Sequence, residues 1–285
     1  MLNEAITDQK IVLTSVNQRF ASVLTVSDNA NDKASVNLAP GLIELLTPNK
    51  KVVLQIRAKP LPEEIIETLD TNQKILKELM QFQRKNVLQN TNANFLVDSM
   101  FTLEAQNAIH KLRTKLESQF QQAGWPENTV DKIWSVGPKF SGANLLINRL
   151  DDFEHRPCFL SKDGAQSERP KIDAEKDMRY QFENSFINGF QMCSQAGPLC
   201  DEPMMGVCFE VEQWKYIGED GNSDASDPFG PLSGQIMSTV KECCRRAFQA
   251  QPQRLMAAMF SCIIQINSDA LGKSFPIYLL VNVIN

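Results

Sequence analysis

The tripeptide Gly272-Lys273-Ser274 has the ending of a phosphate-binding loop. Such a loop needs a glycine five residues earlier so that backbone amides can wrap a phosphate, and Asn267 stands there. A strand-to-turn junction is the reading that fits its surroundings. His110 and His155 lie far apart, and neither has a second ligand at metal-binding spacing. Seven cysteines, at 158, 193, 200, 208, 243, 244 and 262, include no Cys-x-x-Cys pair, so no zinc site is expected. Most sit in apolar-periodic segments, where a reduced, buried thiol is the usual state. Glu63-Glu64 opens a helical pattern, where the helix dipole explains paired acids without catalysis. No catalytic, cofactor-binding or metal-binding residue is therefore assigned. Two readings stay open for Lys50, Lys51, Arg57 and Lys59: lysines that guard a hairpin edge, or a positive hairpin tip that touches phosphates. Lys241, Arg245 and Arg246 read as a solvated helix face.

The elements that must position these groups follow from periodicity. A hydrophobic content of 42% with 22% charged residues is globular, and 285 residues suffice for a sizeable core. The net charge of −5 argues against a molecule held on nucleic acid by its overall field; local basic patches stay open. Residues 1–10 contain no signal-peptide run, and the apolar tail 275–284 is about half the ~20 residues of a membrane span. A soluble, cytoplasmic protein with no membrane partner and no DNA partner is expected.

Residues 1–40 read as weakly structured. Two β-type runs around Thr47-Pro48-Asn49-Lys50 predict a hairpin, with Val52, Leu54 and Ile56 on its buried face and Val53, Gln55 and Arg57 on the other. Pro60-Leu61-Pro62-Glu63-Glu64 predicts a helix start, and Ile109, Leu112, Leu116 and Phe120 a second helix ending at Gly124. Residues near 133–136 read as the end of a short helix, and Leu145 to Ile147 as a strand. Phe182, Phe186, Phe190 and Cys193 predict a helix, Val207, Phe209 and Val211 a strand, and 235–250 a helix with Ile236, Val240, Cys244 and Ala247 inward. Residues 161–176 read as a linker, 218–228 as an acidic loop, and 255–266 as a buried strand. Hairpins mixed with helices argue an α+β class.

The run Ser194-Gln195-Ala196-Gly197-Pro198-Leu199-Cys200-Asp201-Glu202-Pro203-Met204-Met205-Gly206-Val207-Cys208-Phe209-Glu210-Val211 closes a helix on a Gly-Pro stop and passes through an acidic turn into a strand. It resembles the fourth domain of the elongation factor 2 class, and within it the elongation-factor-like GTPases of large-subunit assembly. Further anchors are Thr47 to Lys50, Arg57 to Glu63, Lys132-Ile133-Trp134-Ser135, Gly137-Pro138, Asn144-Leu145-Leu146, Gly234-Gln235-Ile236 and Pro252 to Met256. The resemblance covers roughly 41–272.

It implies a ribosomal protein S5 domain 2-like fold over 41–251, with insertions near 83–127 and 218–228. An incomplete, ferredoxin-like start of domain V would follow over 252–285, so the chain is expected to be a fragment. It further implies a distal tip built from Thr47, Asn49, Lys50 and Lys51 together with Gly230, Pro231, Leu232, Ser233, Gly234 and Gln235. The two turns are expected at one end of the domain. Implied partners are the large ribosomal subunit and its RNA and the Shwachman–Bodian–Diamond protein, in release of the anti-association initiation factor six. GTP and magnesium would belong to a GTPase domain that these residues do not contain, so no cofactor and no hydrolysis is expected of this stretch alone. Gly230 falls where the translocating factor carries a modified histidine, which favours the assembly branch. The alternatives are a fragment of translocating elongation factor 2 and an S5-like nucleotide-binding enzyme.

Overall fold

Strand alternation divides the core in two. In the computed structural model the described residues are 2–7, 41–79, 103–153, 177–217 and 228–257. They contain β1 (Leu2–Ile6), β2 (Leu42–Leu46), β3 (Val52–Pro60), α1 (Glu63–Thr71), α2 (Leu103–Gln122), β4 (Ile133–Gly137), β5 (Asn144–Asn148), α3 (Arg179–Gln195), β6 (Val207–Tyr216), α4 (Leu232–Gln249) and β7 (Gln253–Ala257). A helical segment, 73–79, follows α1. His155, Cys158, Cys262, the 161–176 linker, 218–227 and everything from 258 on lie outside the described residues. Leu2–Met256 forms one compact unit, and a second begins at Ala257.

The main sheet has the order β2-β3-β6-β5-β4. β2/β3, β3/β6 and β4/β5 run antiparallel, while β5/β6 run parallel, joined through α3. The result is a mixed sheet in a mixed α and β unit. Along β6, Val207, Phe209 and Val211 enter one apolar cluster and Cys208 the other; along β5, Leu146 faces the first and Leu145 and Ile147 the second. The period of two thus gives the sheet two buried faces.

On the first face α3 and α4 pack through Phe186, Phe190, Cys193, Ile236, Val240, Cys244 and Ala247. Trp134 stacks on Phe186 at 4.9 Å and 20°, beside Trp214. Burying each such large apolar side chain stabilises by about 1.5–3 kcal/mol. On the second face α1, 73–79 and α2 contribute Ile65, Leu69, Leu76, Leu112, Leu116 and Phe120. The second helix foreseen around Ile109 to Phe120 thus packs on that face.

The hairpin holds as expected, with Leu46 opposite Val53 and Leu42 opposite Arg57. Residues 133–136, read as a helix end, are instead β4. A helical turn closes just before it, with Lys132 N–H donating to Asn128 and Thr129 carbonyls. Ile133 and Val136 then face one cluster and Trp134 the other; every residue is buried, and all but Trp134, at a β-bulge, pair with β5. β-Branched and aromatic residues suit that two-sided burial.

β1 and β7 form a separate two-stranded sheet. The β1 strand lies within the segment 1–40, which reads from sequence as weakly structured with room for one strand. The structure describes 2–7 of that segment and not 8–40.

Candidate functional site

A single buried amide joins the two turns. In the β2–β3 turn, Lys50 N–H donates to the Thr47 carbonyl at 2.7 Å, and Thr47 N–H to the Val52 carbonyl at 2.9 Å. Inside it the Thr47 hydroxyl donates to Asn49 Oδ1 at 2.7 Å and accepts from Val52 N–H at 3.0 Å. Asn49 Oδ1 also accepts from Lys51 N–H at 3.1 Å. Asparagine and threonine favour turns because their side chains bond the backbone in this way. Lys50 takes φ 58°, a left-handed conformation.

The second turn enters α4. Gly230 has φ 81°, Pro231 is the N-cap, and Gly234 and Gln235 N–H groups donate to the Pro231 carbonyl. Gln235 Oε1 accepts from Asn49 N–H at 3.2 Å, while its Nε2 donates to the Gly230 carbonyl at 2.8 Å. The ten tip positions foreseen from sequence therefore come together at one end of the sheet. Their roles separate: Thr47, Leu232 and Gln235 are buried scaffold, whereas Lys50, Pro231 and Ser233 are exposed. Asn49, Lys51, Gly230 and Gly234 are half-buried.

Among the described residues, the charges at the tip are positive. The N-terminal turn of α4 carries no acidic residue, and a helix N-terminus bears a partial positive charge. Lys50 and Lys51 stand across the Asn49–Gln235 bond from it. Three exposed apolar side chains flank the tip: Leu46 next to Thr47, Phe229 next to Gly230, and Ile217, whose N–H donates to the Lys51 carbonyl. The surface suits an anionic partner that also offers apolar contact.

A second polar centre was not legible in the sequence. Glu4 of β1 is fully buried, and its carboxylate accepts from the N–H groups of Leu199 at 3.0 Å, Cys200 at 2.8 Å and Glu202 at 3.3 Å. A Cβ on Gly197 would fall on that carboxylate. The Gly-Pro-Leu-Cys stretch is thus a cradle of amides for one side chain. Next to it, Asn144 Nδ2 donates to the Gly137 and Met204 carbonyls, and its Oδ1 accepts from Val207 N–H.

Four of the five described thiols are inert by position. Cys193, Cys208, Cys243 and Cys244 are buried, and Cys200 is exposed. Burial pushes Cys243 up to about 12 and holds Cys208 and Cys244 well above the ordinary thiol range. Among the described residues, no three His, Cys, Asp or Glu side chains gather as a metal-binding group, and no helix is long and apolar enough to cross a membrane.

Residues 57–149 match the family described as elongation factor-like GTPase 1-like domain. Over 83% of its length the chain is 33% identical to elongation factor-like GTPase 1 of Homo sapiens, covering 24% of that protein. The Mus musculus protein of the same name is 32% identical over 83% of the chain, with 24% of the relative covered. Ribosome assembly protein 1 of Schizosaccharomyces pombe is 26% identical over 84% of the chain, with 23% covered. The matches place these residues in a translational GTPase family of ribosome biogenesis. Within it, the chain belongs to the elongation factor-like GTPase 1 and ribosome assembly protein 1 group. It spans about a quarter of the length of the curated relatives it matches.

Proposed function

We propose that this chain is the ribosome-facing part of an elongation-factor-like assembly GTPase, with an S5 domain 2-like main unit leading into a ferredoxin-like one. It acts in cytoplasmic maturation of the large subunit, beside the Shwachman–Bodian–Diamond protein, to release the anti-association initiation factor six. The stretch does not itself hydrolyse GTP; nucleotide and magnesium belong to the GTPase domain of the family. The observation that carries this reading is the Asn49–Gln235 bond, which holds a lysine turn beside an acid-free helix N-terminus. Gly230, where the translocating branch carries a modified histidine, offers no imidazole and supports the assembly branch.

The test is co-sedimentation of the full chain with purified large subunits. Charge reversal at Lys50→Glu with Lys51→Glu should weaken binding by roughly tenfold or more and flatten its salt dependence. Binding that is unchanged by the double reversal refutes the tip assignment.

A further inference from the structure

The sheet's second face has a charged part as well as an apolar one. Across β3 and β6 it carries a charged ladder: Arg57 holds Glu212 at 2.5 and 3.1 Å, and Lys59 and Arg149 both hold Glu210, at 2.5 and 3.0 Å. A β-bulge opposite Gln55 and Ile56 leaves Glu212 without a partner position, the kind of irregularity that re-aims side chains near sites. Hydrogen bonding to Glu212 raises the Arg57 pKa.

Where this ladder meets the end of α2 there is an open cavity of ≈650 Å3, walled by Lys59, Arg149, Glu210, Trp125 and Pro126. Trp125 is half-buried and braced edge-on by Phe120 at 5.4 Å, and Lys59 Nζ lies 5.8 Å from its ring centroid. Apart from Glu210 and Glu212, every wall residue lies within 57–149, the stretch that the family match covers. The cavity is separate from the tip. Lys51 and Lys59 lie at opposite ends of β3, roughly 26 Å apart at strand rise.

In the cavity wall Lys59 and Arg149 face Glu210 and Glu212, Arg57 holds Glu212 from outside it, and the Lys59 side chain remains 43% exposed. The one half-exposed cation of the cavity wall therefore stands beside an indole braced by Phe120. Unpaired RNA bases stack on aromatic rings while their phosphates meet cations. An acidic peptide would use the cations and leave the indole face idle. We propose that this cavity binds one unstacked nucleotide of single-stranded RNA, its base on Trp125 and its phosphate on Lys59 and Arg149. The proposal deepens the ribosome-facing reading and rests on it.

Trp134 and Trp214, the other two tryptophans, are 3% and 2% exposed, so quenching by a polar ligand reports Trp125. The full chain is titrated with a single-stranded hexaribonucleotide, and quenching is expected. Lys59→Gln should weaken binding about tenfold and lower the salt slope by about one, with Lys59→Arg retaining it. Lys50→Gln with Lys51→Gln should leave the titration unchanged. Thermal melts confirm that each variant folds. Four results would overturn the proposal: no quenching, quenching by polyglutamate as strong as by RNA, indifference to Lys59→Gln, or loss in the Lys50/Lys51 variant. Large-subunit co-sedimentation of the same preparation needs no signal from Trp125. Binding there without quenching rejects the nucleotide site alone, and failure of both rejects the underlying reading.

Discussion

Truncating Glu4 to alanine removes the acceptor of three amide donors in a fully buried position. A hydrogen bond to a charged group contributes about 1.5–3 kcal/mol, and a buried donor left without a partner costs about 1–3 kcal/mol. The Glu202 bond, at 3.3 Å, is the weakest of the three. With that bond discounted and water admitted to the vacated space, the expected loss is about 3–4 kcal/mol. A domain's whole stability is about 5–15 kcal/mol, so the effect is large. Glu4→Gln should lose less. Its oxygen can still serve Cys200 and Glu202, but its amide nitrogen would oppose the Leu199 N–H. Gly197→Ala alone should also destabilise, by about 1–3 kcal/mol, because the added methyl overlaps the carboxylate. In the Glu4→Ala background that obstacle is gone, so the two costs should fall short of additive by about 1 kcal/mol or more. Urea titrations of the full chain, followed through Trp134 and Trp214, measure all four corners of the cycle. A loss below about 1 kcal/mol for Glu4→Ala, or strict additivity with Gly197→Ala, would refute the claim that this carboxylate holds the loop.

Gln235→Leu keeps the volume of the tip scaffold but removes both of its bonds, and should cost about 1–2 kcal/mol, read as a melting-temperature drop of several degrees. Peptide mapping after alkylation at pH 8 should find Cys200 modified in the native protein, with Cys193, Cys208, Cys243 and Cys244 protected until urea is added. The same buried thiols set an alkaline limit. Cys243 rises from 9.0 to about 12 on folding, and Cys208 and Cys244 rise as well. Above about pH 9 the unfolded chain therefore binds fewer protons than the folded one, and stability should fall as pH climbs toward 12. A urea midpoint that is flat from pH 8.5 to 11 contradicts this.

Legibility in the sequence tracked how local the cause was. The β2–β3 hairpin, the inward stripes of α3 and α4 and both tip turns each depend on residues within a few positions of one another, and each was readable. β4 was misread because five residues buried on two faces carry no alternation, and a helical turn immediately precedes them. Glu4 was invisible for a different reason. Its partners are backbone amides almost two hundred positions away, and an amide cradle leaves no side-chain signature beyond Gly197. The cavity at Trp125 was hidden likewise. Lys59 could be seen as a basic residue, but only the β3–β6 register sets it on Glu210 and near the indole.

The tip turn feeds directly into β3, and Ile217, bonded to Lys51 at the same end, follows directly from β6. These are neighbouring strands in the interior of the main sheet, paired from Val52–Tyr216 to Pro60–Val207. A force applied at the tip along the strands therefore enters the ladder in shear, loading its hydrogen bonds together rather than one after another. Peeling β2 from the edge would break them in sequence and give way at lower load. The molecule should accordingly be stiff to a thrust along its long strands and compliant to a sideways pull on its outer one.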